Sequence, residues 1–132
     1  MMSAVGGMLD SLTGPGFQAA LDGMIASAMF GPHDDAAVTA QIAAVMSSAK
    51  QEVATQAFKS ILTWPGADAI RKCTVPVMTV SAGPGAFGDA RALAAECPHL
   101  FTAQTVGAGH FNQVFAADQV NAMLERFFSI IG

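Results

Sequence analysis

Three groups of residues in this 132-residue chain could do chemistry. His110 closes the run Gly107-Ala-Gly-His110. An imidazole titrates near neutrality and can take a proton and return it, and small neighbours let a substrate come close. The competing reading is a surface loop histidine with no task. Gly83-x-Gly85-x-x-Gly88 is the second group. After a strand and before a helix, such spacing can aim backbone N–H groups at a pyrophosphate. That reading wants an acidic residue about twenty positions on, where this chain has Thr105-Val-Gly-Ala108, and Asp89 would repel a phosphate. A plain strand-to-helix loop fits better. Cys73 and Cys97 are the third group. A cysteine nucleophile needs a depressed pKa and a positioned base, and nothing local supplies either, so both read as buried structural thiols. His33, beside Asp34 and Asp35, reads as a solvated cap, and His99 as an exposed turn residue. No carboxylate or thiol stands at ligand spacing, so neither metal nor cofactor is expected.

These residues need elements to position them. From Phe17 to Leu62 the apolar period is helical. Phe17, Leu21, Met24, Ile25, Ala28 and Met29 share one face, and Gly31-Pro32 stops that helix. Asp34 or Asp35 can cap the next, whose face is Val38, Ile42, Val45 and Met46. Ser48 and Gln51 read as a capping box for a third, packed through Val53, Phe58, Ile61 and Leu62. Trp64-Pro65-Gly66 makes a turn, and the glycine-rich first sixteen residues are expected to be irregular.

Beyond Thr74 the texture changes. Val75–Val80 is a short apolar run led by β-branched residues, as in a strand buried on both faces. Asp89 opens a helix to Glu96, Thr102–Val106 alternates as a second strand, and Asp118 caps a last helix facing inward through Val120, Leu124, Phe127, Phe128 and Ile131. Strand, helix, strand, helix predicts an α/β arrangement with parallel strands and a right-handed crossover. Two strands leave open edges, so further strands are expected from the glycine-rich start or from another chain.

Composition narrows the classes. Hydrophobic residues make up 52% and charged residues 12%, and mean hydropathy is +0.45, which opposes intrinsic disorder. The longest apolar stretch, Met24 to Phe30, is far short of the roughly 20 residues that span a bilayer. Net charge is −4 with Lys and Arg scattered singly, so there is no stripe to follow a nucleic acid. No basic residue precedes an apolar run at the N-terminus, and the expectation is a cytoplasmic domain. Greasiness of this degree suggests surface covered by a partner.

The stretch from Ile61 onward resembles the C-terminal half of the α/β-hydrolase fold family. Ala69–Val80 is similar to the lead-in and penultimate strand, with Pro76 at the strand start. Val106-Gly-Ala-Gly-His-Phe111 is similar to the loop of the catalytic histidine, and Ala117–Phe128 to the closing helix. The helices from Phe17 to Leu62 resemble the cap many members insert. The resemblance implies a helical cap-like segment over 1–66 and a β-α-β-α part of the hydrolase core over 67–132. It implies ester or related acyl or C–C bond hydrolysis of a small-molecule substrate, with His110 as general base. The acid of such a site commonly follows the penultimate strand. That position falls on Gly85, which leaves Asp89 as the nearby substitute or simply as a helix cap. The Gly-x-Ser-x-Gly elbow that would carry the nucleophile occurs nowhere in these residues.

Two expectations of different class follow. The chain is the back half of a hydrolase whose other half lies elsewhere, or it is a non-catalytic, self-associating module derived from that fold. Ser81 or Ser60 as an improvised nucleophile is weaker, having no elbow to expose it. The two open edges lead us to expect a homodimer or larger oligomer.

Overall fold

The computed structural model describes residues 11–82, 90–97 and 99–132. Apolar residues three and four apart wind the first part into α1 (Phe17–Ala28), α2 (Ala36–Ser47) and α3 (Gln51–Thr63). Of the expected α1 face, Phe17, Leu21, Ile25 and Met29 are buried, together with Leu12 just upstream. The expected face of α3 is corrected. Ala54 and Thr55 are buried, while Val53, Ile61 and Leu62 are exposed. The reason is polar. The Thr55 hydroxyl donates to the Leu12 carbonyl at 3.0 Å and the Gln51 amide to Gly14 at 3.0 Å, so the Gln51/Thr55 edge faces the incoming chain. The Ser48–Gln51 capping box does not form either. Lys50 is the N-cap and makes no side-chain cap bond, and the Ser48 hydroxyl donates back to Val45.

The chain divides into two compact units. One holds Ala36–Trp64 with the residues up to Met29; the other holds Pro65–Gly132 together with the short segment Phe30–Asp35. That segment lies between α1 and α2 in sequence yet belongs to the second unit.

The second unit runs α4 (Gly66–Arg71), β1 (Val77–Ser81), α5 (Ala90–Glu96), β2 (Leu100–Gln104), α6 (Asn112–Phe115) and α7 (Ala117–Ile131). β1 and β2 pair in parallel, Val77 opposite Leu100 through Ser81 opposite Gln104. Among the described residues this is a two-stranded sheet in an α/β arrangement. Both strands are displaced from their expected limits. Val75 is exposed, Pro76 has no N–H to give a ladder, and β1 begins at Val77. Each β1 residue is half-buried rather than buried on both faces.

α7 buries Phe127, whose ring meets Phe101 of β2 edge-on at 5.4 Å. Phe128 and Ile131, expected inside, are exposed. A 100° step per residue carries Phe128 off the Phe127 face. Asp118 sits in the first turn of α7, where its charge favours the helix dipole, but Ala116 is the N-cap. No helix among the described residues is long and apolar enough to cross a membrane.

Candidate active site

His110 stands in the loop that leaves the carboxyl end of β2, where open α/β sheets gather their ligands. Its loop is tied down residue by residue. Thr105 is almost fully buried. Its N–H and its hydroxyl both donate to the Ser81 carbonyl, at 3.0 and 3.3 Å, extending the parallel ladder by one residue. At Val106 the Gln119 side chain from α7 takes both backbone groups. Gln119 accepts from the Val106 N–H at 2.8 Å and donates to its carbonyl at 3.2 Å. Gly107 then turns the chain at a φ of +81°, a conformation open chiefly to glycine.

Gly109 passes close to Phe30–Asp35. Its N–H lies 3.1 and 3.2 Å from the two carboxylate oxygens of Asp34, and one of those oxygens also accepts from the Gly31 N–H at 2.8 Å. A Cβ on Gly109 would run into the Gly31 nitrogen, the Asp34 carboxylate and the Phe30 carbonyl carbon. The other neighbour of His110, Phe111, sets its ring against Phe30 at 5.8 Å, and Phe115 meets Phe30 edge-on at 6.3 Å. Asn112 is buried and donates to the Val80 carbonyl at 3.3 Å. Between these anchors the His110 side chain is exposed, its ring edge-on to Phe111 at 5.4 Å.

The other expected residues fall as follows. Asp89 and Gly83-x-Gly85-x-x-Gly88 lie outside the described residues. Ser81 donates its hydroxyl proton to Ala103 at 3.3 Å and Ser60 donates its own to Gln56 at 2.9 Å. A hydroxyl has one proton to give, so neither serine is set as a nucleophile by donation to an imidazole. Cys97 is buried and Cys73 half-buried, both as free thiols. His33 and His99 are exposed, and the His33 ring lies beside Gly107. No group of three or more His, Cys, Asp or Glu among the described residues could hold a metal ion. An open cleft of about 500 Å³, lined by Thr13, Gln51 and Thr55, belongs to the helical unit. A groove of about 430 Å³ lies between the sheet and α7. His110 lines neither.

What sequence reasoning missed is Asp34. Its local signal, Gly-Pro followed by an Asp pair, predicts a turn and one of two possible helix caps alone. Nothing local announces a bond to a residue 75 positions away. Comparison with known protein families, with curated proteins and with solved structures returns no match for this chain.

Proposed function

We propose that the chain is the C-terminal half of an α/β-hydrolase, with His110 as the general base in hydrolysis of an ester or a related acyl or C–C bond. The observation that carries this reading is the place of His110, exposed in a backbone-anchored loop at the carboxyl end of a strand parallel to its neighbour. In acyl transfer the imidazole takes the proton of an attacking hydroxyl and returns it to the leaving group, while backbone N–H groups hold the oxyanion. Nucleophile elbow and oxyanion loop must come from polypeptide other than these 132 residues. Asp89 is the proposed acid partner of the histidine, and no cofactor is called for.

The test begins with the coding sequence upstream, read in frame for Gly-x-Ser-x-Gly. With that segment restored, an activated ester should be hydrolysed, and His110→Ala should lower kcat at least a thousandfold. A restored enzyme indifferent to His110→Ala would end the reading.

A self-associating module is the second reading, favoured by exposed apolar side chains on each unit. Val53, Ile61 and Trp64 are exposed on the first, Phe101 and Phe128 on the second. If no elbow lies upstream and the purified chain is a stable dimer without turnover, this reading replaces the first.

A further inference from the structure

We infer that Asp34 is the positioning residue of the histidine loop, fixing where the His110 imidazole stands from a segment 75 residues upstream of Gly109. The catalytic meaning of this inference rests on the hydrolase reading; the mechanical part does not.

A carboxylate used as a helix cap bonds the N–H groups two and three residues ahead. The oxygens of Asp34 accept from Gly31, three residues behind, and from Gly109 in the distant loop. Both donors are backbone groups in a partly buried setting, and bonds to an ionised acceptor are stronger than neutral ones. The approach is tight from both sides, and at Gly109 it leaves no room for a side chain. A Cβ on Gly31 would sit 3.0 Å from the Gly109 nitrogen, and a Cβ on Gly109 would strike the Gly31 backbone.

The same short segment takes hold on the other side of the histidine through the Phe30 ring against Phe111. His110 is therefore the one residue between two that Phe30–Asp35 holds, Gly109 by charge and Phe111 by apolar contact. Its own side chain stays exposed. That division anchors the backbone on both sides of the imidazole and leaves the side chain at the surface. A carboxylate that anchors the loop's backbone acts on chemistry by placement.

Nuclear magnetic resonance on the full chain tests this. Asp34→Ala should speed amide exchange at Gly109 and Gly31 about tenfold or more, the loss of one charge-assisted bond, and should shift the ring-proton resonances of His110. Amides of the β1–β2 ladder, such as Thr79 and Ala103, should keep their protection. Asp34→Asn retains one oxygen that can accept from both glycines, and should restore most of the protection and the native ring resonances.

Unchanged exchange at Gly109 in Asp34→Ala would overturn the inference. So would a uniform loss of protection along the ladder, since that is general destabilisation. Should Asp34→Ala fail to fold, Asp34→Asn decides: native protection at both glycines supports the inference, and protection lost across the whole unit overturns it. Failure of the hydrolase reading shows separately, as a wild-type enzyme with its upstream half restored that does not turn over an ester.

Discussion

Replacing Gly109 by alanine places a methyl group where backbone already lies. Its carbon would stand 2.7 Å from the Phe30 carbonyl carbon and from an Asp34 oxygen, against 3.4 Å where ordinary contact begins. The shortfall is 0.7 Å at these two atoms and larger at the Gly31 nitrogen, and peptide backbone yields far less readily than a side-chain tip. Two responses are open to the molecule. It can compress, at the cost of about 1–3 kcal/mol typical of overpacking. It can open, losing the bond from the Gly109 N–H to the carboxylate, worth about 1.5–3 kcal/mol. Either route predicts about 2 kcal/mol of lost stability, read as a lower urea midpoint at unchanged slope. Gly107→Ala is the control. There a Cβ meets nothing closer than the His33 ring at 3.9 Å, but the φ of +81° strains any L side chain by about 1–2 kcal/mol. The two variants thus lose similar stability by different mechanisms. Gly109→Ala should expose the Gly31 amide to exchange, and Gly107→Ala should leave it protected. A Gly109→Ala protein within about 0.5 kcal/mol of wild type, its Gly31 amide still protected, would refute the reasoning.

The purified chain should hydrolyse an activated ester no faster than its His110→Ala variant, because a base without nucleophile or oxyanion donors has little to work on; clear turnover above that background would contradict the half-enzyme proposal. Phe127→Ala should cost about 3 kcal/mol in a denaturation experiment, as the loss of a buried ring does. Phe128→Ala, at an exposed position, should cost under about 1 kcal/mol, and equal losses would show the α7 face to be misassigned. Light scattering at micromolar concentration should find a dimer or larger species, since Phe101, Val106, Phe128 and Ile130 are all exposed; a monomer would count against self-association.

Much of the second unit was legible because it is written locally. The β-branched run before Ser81 and the change of period after it were enough to expect parallel strands joined through a helix, and β1 and β2 are so paired. Their limits were not legible. β2 runs from Leu100 to Gln104, and the Val106 backbone, expected within the strand, bonds the side chain of Gln119 from α7. That bond is invisible in the run itself. The inward face of α3 was misread for a related reason. Apolar period marked Val53 and Ile61, while the hydroxyl of Thr55 and the amide of Gln51 answer carbonyls at Leu12 and Gly14. Polar satisfaction overruled hydrophobic pattern there. His110 announced itself through its glycines. Asp34 did not, since the partner that gives it meaning is 75 residues away.

That separation bears on the order in which the molecule is completed. Closing a chain loop of this length from the unfolded state costs on the order of 4 kcal/mol in entropy, more than the about 1.5–3 kcal/mol that the Gly109 bond to the carboxylate returns. Asp34 and Gly109 therefore meet only after the intervening helices and the β1–β2 pair have shortened the path between them. The strands can pair early across a connection of some twenty residues, and the histidine's backbone is locked late. A polypeptide beginning at Pro65 would have everything needed to build the sheet and to carry His110, yet nothing to finish the loop. The anchored placement of His110 is then the last feature the chain acquires as it folds and the first it gives up as it frays.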